Sequence, residues 1–167
     1  MIILGIDPGS RKAGYALIEC EGRRFKYLDS GTLMLEKEGE FLNRLSKAHE
    51  ECLELVARYK PDEIALESLI YVKSPTALIK LAQTRGAMLA GFLKTHPDKI
   101  FEYAPNVVKA SVSGHGHADK EAMQKALQMM FGKGTTFKTH DESDALAVAV
   151  CHGLQRSSRI KMKQEKI

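Results

Sequence analysis

A short apolar run that ends on an acid constrains this chain more than any other feature. Met1, Ile2, Ile3, Leu4 and Ile6 are apolar, three of them β-branched, and Asp7 follows directly. Such a run reads as a buried strand. Pro8-Gly9-Ser10 then turns the chain, because proline sets φ and glycine permits positive φ. After Arg11-Lys12 a second strand-like run extends from Gly14 to Cys20. A carboxylate at the end of a buried strand is costly to desolvate without a partner or a cation. The rest of the chain is therefore read for what it brings to Asp7.

Strands are expected over residues 1–7, 13–20 and 24–35, as a meander, with Asp29-Ser30-Gly31 marking a bulge in the third. Glu36 to Gly39 reads as a polar turn. Phe41, Leu45, Ala48, Cys52, Leu55, Val56 and Tyr59 recur at helical spacing, so 40–59 is expected as a helix that Lys60-Pro61-Asp62 stops. Glu63 to Glu67 reads as a short buried strand, again ending on an acid. Pro75 to Lys94 is expected as a second helix, apolar most of the way round. Such a helix is covered on both sides, here by the sheet and by a second subunit. A last strand (99–103), a helical turn (106–111), the loop Ser113-Gly114-His115-Gly116-His117, a helix over 118–131 and a final helix over 141–155 complete the order. This order, βββαβαβ, predicts an α/β fold with a five-stranded mixed sheet flanked by helices. Its fourth and fifth strands run parallel to the first. Asp7 and Glu67 then share the edge where the parallel strands end, the usual place for a site.

A third acidic element is Asp141-Glu-Ser-Asp-Ala-Leu-Ala, in which Asp141 and Asp144 lie three apart on one helical face. Two readings are open. Asp141 with Asp144, or Thr139 with Glu142, caps the helix and meets its dipole. Alternatively Asp7, Glu67, Asp141 and Asp144 converge as oxygen ligands for two Mg²⁺ ions, the arrangement that two-metal phosphodiester hydrolysis needs. Two strand-end acids plus an acidic pair opening a helix favour the second. Lys120 follows a Gly-His-Gly loop at a helix start, where backbone N–H groups approach a phosphate, and Lys109 lies upstream of the same loop. Both lysines, with His115 in the loop, Arg11 in the first turn and Lys73 near the mouth, are candidate nucleic-acid contacts; ordinary surface positions are the alternative.

Charge does little to name a partner. The chain carries 25 Lys/Arg against 21 Asp/Glu, a net of +4. Residues 156–167 hold five of the basic groups and one Glu, leaving 20 of each sign in the other 155 residues. A polyanion would be bound by segregated charge and not by excess. Residues 1–155 are expected as one domain and 156–167 as a basic, disordered tail. The three cysteines, Cys20, Cys52 and Cys151, form no C-x-x-C pair and read as reduced, packed thiols. With no signal-peptide pattern and no long apolar span, a cytoplasmic protein off the membrane is expected.

Several motifs in order resemble the RuvC-type Holliday junction resolvases, from Met1 to about His152. Gly5 to Ala16 (GIDPGSRKAGYA) is similar to the family's opening strand and turn, and Ala65-Leu66-Glu67 to its second acidic strand. Residues 80–89, with Gln83, Arg85 and Gly86, resemble its dimer helix, and residues 108–120 its Lys-to-Gly-x-Gly-x-Ala-Asp-Lys segment. Asp141 to His152 resembles its closing acidic helix. The resemblance implies an RNase H-like fold and a homodimer that nicks four-way DNA junctions in symmetric pairs during recombination and repair. It implies Mg²⁺ as cofactor, with Mn²⁺ as a substitute, and a branch-migration helicase complex as partner. Asp7, Glu67, Asp141 and Asp144 match the catalytic acids, and Lys109 and Lys120 match basic residues linked to DNA contact or catalysis. One position departs. Three residues after the strand acid the family often carries a Phe that packs on unpaired bases; here it is Ile70, followed by Tyr71. Either Tyr71 stacks or Ile70 acts as an apolar wedge. Rival readings are a ribosomal-RNA-trimming nuclease of similar fold, which lacks these helix and loop motifs, a sugar-kinase-like ATPase, which needs a longer chain, and a junction-binding module without chemistry.

Overall fold

The computed structural model describes residues 1–69, 74–132 and 135–164. β1 (Ile2–Asp7), β2 (Ala13–Glu21) and β3 (Arg24–Leu33) form the expected meander. After the helix α1 (Phe41–Tyr59), β4 (Glu63–Glu67) returns parallel to β1, and after α2 (Pro75–Leu93), β5 (Ile100–Tyr103) lies parallel to β4. The sheet order is β3-β2-β1-β4-β5. α3 (Pro105–Ser113), α4 (Lys120–Phe131) and α5 (His140–Gln164) follow. The mixed α/β sheet read from the sequence is thus the one observed.

Alternation in the central strands sorts side chains between two cores. Leu4, Ile6, Leu17, Ile64 and Leu66 point towards α1 and α2 and join Cys52, Met88 and Phe92. Ile3, Ala16, Ile18 and Ala65 point the other way, onto α5 and the flanking Val108, Met123 and Leu127. α5 lies very close to the sheet along a stripe of four-residue spacing. A methyl on Gly5 would stand 2.7 Å from the Ala149 nitrogen and 2.8 Å from its Cβ, and one on Gly14 would run into the Asp141 carbonyl. Glycine at these two strand positions is what lets the helix descend.

Three details differ from the sequence reading. The bulge of β3 falls one residue earlier than Asp29. Leu17 pairs with Asp29 but Ile18 pairs with Tyr27, so Leu28 is the extra residue. The polar turn is a 3₁₀ turn, Leu35–Glu38, closed by Gly39 at φ 66°. The final helix does not stop at Gln155 but continues to Gln164. Its extension is tied down: the Arg156 guanidinium donates to the Glu63 carboxylate at 3.0 and 3.1 Å, and the Ser157 hydroxyl donates to the Gly22 carbonyl at 2.6 Å. The expected disordered tail is thus corrected for residues 156–158, which belong to the folded body, because β4 offers a carboxylate there. Residues 165–167 lie outside the described residues.

α2 carries the apolar surplus seen in its sequence. Met88 and Phe92 are fully buried, while Ile79 is 58% and Leu93 52% exposed. Ala82, Gly86 and Ala90 are exposed between them. No helix among the described residues is long and apolar enough to cross a membrane.

Candidate active site

The pairing of Ile6 with Leu66 brings the ends of β1 and β4 side by side, so Asp7 and Glu67 occupy one edge. α5 crosses the opposite face and delivers its first turn to the same edge, with Gly14, the β2 partner of Asp7, seated under Asp141. All four acids are half-buried. Their electrostatics follow from that. Asp7 is pushed up to about 8, first by burial and then by the charges of Glu67, Asp144 and Asp141, with Lys120 acting in the opposite sense. Glu67 is raised to about 7 by burial and by Asp144, against Lys109. Asp144 is raised too, by burial, although Lys120 pulls it down. Sequence-distant carboxylates thus share one field, which Lys120, Lys109 and His140 oppose.

Capping is handled by other residues. The Glu142 N–H donates to the Thr139 hydroxyl at 3.3 Å, and the Glu142 carboxylate accepts the Lys138 N–H at 3.2 Å. Of the two capping pairs considered from sequence, Thr139 with Glu142 is the one formed. Asp141 and Asp144 make no hydrogen bond or ion pair among the described residues and remain available to a ligand. No group of three His, Cys, Asp or Glu side chains among the described residues is closed tightly enough to hold an ion as it stands.

Two openings give access. A cavity of about 230 Å³ is lined by Glu67, Lys109, Lys120, Asp144 and Asp119. Asp119 is already committed there, since its carboxylate caps α4 by accepting the Ala122 N–H at 2.8 Å. A more open cavity of about 480 Å³ holds Asp141 with Gly9, Ser10, Arg11, Lys12 and Glu36. Glu36 pairs with Arg11 at 2.8 Å and with Lys12 at 3.5 Å, clamping the turn that follows Asp7 onto the 3₁₀ segment. Arg11 is therefore at the lip of the site, but ion-paired. His115 is exposed, lines neither cavity, and has its ring Nδ1 3.4 Å from the Ser113 carbonyl oxygen. Ile70, Tyr71 and Lys73 lie outside the described residues.

Sequence reasoning missed a second polar network. His152, 1% exposed, has Nε2 at 2.7 Å from Glu63 and Nδ1 at 2.7 Å from the Tyr103 hydroxyl. Glu63 also takes Arg156. It ties α5 to β4 and β5, the strand beside Glu67. The only signal for it in the sequence was a histidine on an apolar helix face, a pattern that more often marks a packed core residue.

Acids at the ends of adjacent parallel strands, faced by an acidic helix start across a β3-β2-β1-β4-β5 sheet, define an RNase H-like α/β fold. The profile of crossover junction endodeoxyribonuclease RuvC matches residues 3–152. A crossover junction endodeoxyribonuclease RuvC of Rhizobium johnstonii is 40% identical over 163 residues, 97% of this chain and 94% of the relative. The RuvC structure of Thermus thermophilus superposes with a TM-score of 0.83 at 26% identity, over 95% of this chain and 96% of that one. T. thermophilus RuvC in complex with Holliday junction substrate has the same fold, with a TM-score of 0.86 at 24% identity, again over 95% and 96% of the chains. This chain belongs to the crossover junction endodeoxyribonuclease RuvC family.

Proposed function

We propose that this protein is a cytoplasmic, Mg²⁺-dependent endonuclease that resolves four-way DNA junctions. The observation that carries the reading is the convergence of Asp7, Glu67, Asp141 and Asp144 on one sheet edge, with burial and mutual repulsion raising Asp7 to about 8 and Glu67 to about 7. Oxygen donors without enough cationic charge beside them suit hard divalent ions. These four residues would hold two Mg²⁺, which when bound stabilise the attacking and leaving oxygens of phosphodiester hydrolysis. Water adds to phosphorus and the bond to the 3′ oxygen breaks, leaving a 5′-phosphate and a 3′-hydroxyl. Lys120 and Lys109, in the cavity shared with Glu67 and Asp144, hold the non-bridging phosphate oxygens and offset part of the acid cluster's repulsion of DNA. Arg11 leaves Glu36 for a neighbouring phosphate when a strand enters.

The test uses a synthetic four-way junction and a linear duplex, each with Mg²⁺ or with EDTA. Paired nicks on the junction alone, only with Mg²⁺, are expected. Equal cutting of the duplex overturns the substrate assignment.

A junction has near two-fold symmetry, and a C₂ dimer presents two equivalent sites to it. The exposed stripe of Ile79, Ala82, Gly86, Ala90 and Leu93 on α2 is the surface proposed to pair. A Cβ on Gly86 meets nothing within 4 Å in the single chain, so Gly86→Glu leaves the fold intact and places a charge in the interface. Ultracentrifugation is expected to give a dimer for the parent protein and a monomer for Gly86→Glu, with the variant's circular dichroism spectrum still that of the folded parent. A parent protein that sediments as a monomer at working concentration overturns the dimer.

A further inference from the structure

Glu142 stands between two of the candidate catalytic acids, yet it faces away from them. Successive helix residues are turned by about 100°, so a residue next to Asp141 cannot share its direction. Glu142 is 5% exposed. Its carboxylate accepts the Ser30 hydroxyl proton at 3.2 Å and the Lys138 N–H at 3.2 Å. With its proton given to Glu142, Ser30 Oγ is left to accept from the Tyr27 hydroxyl, 2.9 Å away. Two residues along β3, the Thr32 hydroxyl shares a 2.7 Å hydrogen bond with the Thr139 hydroxyl, which itself caps α5. The start of the acidic helix is thus attached to β3 at two points, through side chains far apart in sequence.

The bulge at Leu28 makes this attachment possible. Tyr27 and Ser30 are three apart, an odd spacing that puts strand side chains on opposite faces. The extra residue restores them to one face: Tyr27 pairs with Ile18 and Ser30 with Ala16, and both of those partners point to α5. Asp29, paired with Leu17, is left on the other face, where it accepts the Tyr59 hydroxyl.

We propose that Glu142, held by Ser30, is a positioning residue that sets the first turn of α5 so that Asp141 and Asp144 face the sheet edge that carries Asp7 and Glu67. The inference rests on the nuclease reading above. Glu142 is a positioning residue because it reaches the acids only through the helix they share. Residues that orient metal-binding side chains without touching the ion typically matter about 10–100-fold in affinity or rate.

The test compares Glu142→Ala, Glu142→Gln and Ser30→Ala in the full chain. Mn²⁺ affinity is read from the free-ion paramagnetic resonance signal, junction affinity in EDTA, and single-turnover cleavage in Mg²⁺. Glu142→Ala is expected to weaken Mn²⁺ binding and slow cleavage by about tenfold or more, with junction affinity within about twofold of the parent. Glu142→Gln keeps an acceptor oxygen for Ser30 and Lys138 and is expected to recover most of both losses. Ser30→Ala removes the same bond from the strand side and is expected to fall between them; it carries the test if Glu142→Ala does not fold. Parent-like Mn²⁺ binding in both Glu142→Ala and Ser30→Ala overturns the proposal. So does Glu142→Gln as impaired as Glu142→Ala, which would make Glu142 a ligand itself. If the parent protein binds Mn²⁺ but cuts no junction, the nuclease reading fails, while the Mn²⁺ comparison still decides the clamp.

Discussion

Asp7→Asn is expected to bind a four-way junction and leave it uncut, with cleavage reduced by at least about 10³-fold. Asparagine keeps the size of the side chain and its hydrogen-bonding oxygen but removes the charge on which the proposed metal site centres. The same substitution is expected to stabilise the metal-free protein. Asp7 titrates near 8 in the fold against an ordinary value of 3.8. Between those values the folded chain holds a proton that the unfolded chain releases, so stability in EDTA falls as pH rises through that window and levels off above it. Glu67, raised from 4.5 to about 7, adds a fall of the same sign. The acids are coupled, so the asparagine variant gains on the order of 3 kcal/mol at pH 8, less than the Asp7 shift alone implies. For a chain of this size that is a melting temperature higher by roughly 5–10 °C in EDTA. Millimolar Mg²⁺ should raise the parent's melting temperature and leave the variant's nearly unchanged. An Asp7→Asn protein that still cuts, or that melts lower than the parent at pH 8 in EDTA, contradicts the metal-site reading.

Gly14→Ala is the second large effect, and it acts through the backbone. The added methyl has nowhere to go but into the Asp141 carbonyl. The first turn of α5 must lift, carrying Asp141 and Asp144 away from Asp7. Misplacing reacting groups by about 1 Å costs on the order of 10²-fold in rate. Overpacking of this kind costs about 1–3 kcal/mol, or a melting temperature lower by roughly 3–10 °C. Single-turnover cleavage together with calorimetry reads both. Unchanged cleavage would show that the acids do not depend on this helix–sheet contact.

Much of this site was legible because its parts announce themselves locally. Apolar runs ending on Asp7 and Glu67 mark strand ends, and a helical crossover makes those strands parallel, so that they end on one edge. The Asp141–Asp144 spacing fits one helical face. The stop after Tyr59 is written in Lys-Pro-Asp. The bulge was legible in kind but misplaced by one residue, since Asp-Ser-Gly is turn chemistry while the register is set by which faces are buried. The end of α5 was misread because the basic run after Gln155 has the composition of a fraying tail. Its order comes from Glu63, a residue far away in sequence.

The sequence alone determined which residue types are on offer to a site: two strand-end acids, an acidic pair on one helical face, and two lysines around a glycine-histidine loop. These depend on strand and helix periodicity, which are local. Only the tertiary structure decided how those residues are used. Thr139 and Glu142, not Asp141 and Asp144, cap α5, because β3 is bulged so that Ser30 and Thr32 face it. Glu36 holds Arg11 because the 3₁₀ turn packs on the first loop. Asp7 rises to about 8 because the protein interior buries it and three other carboxylates stand beside it. Each is a long-range effect of register and burial, and a carboxylate's role depends on what stands opposite it in space.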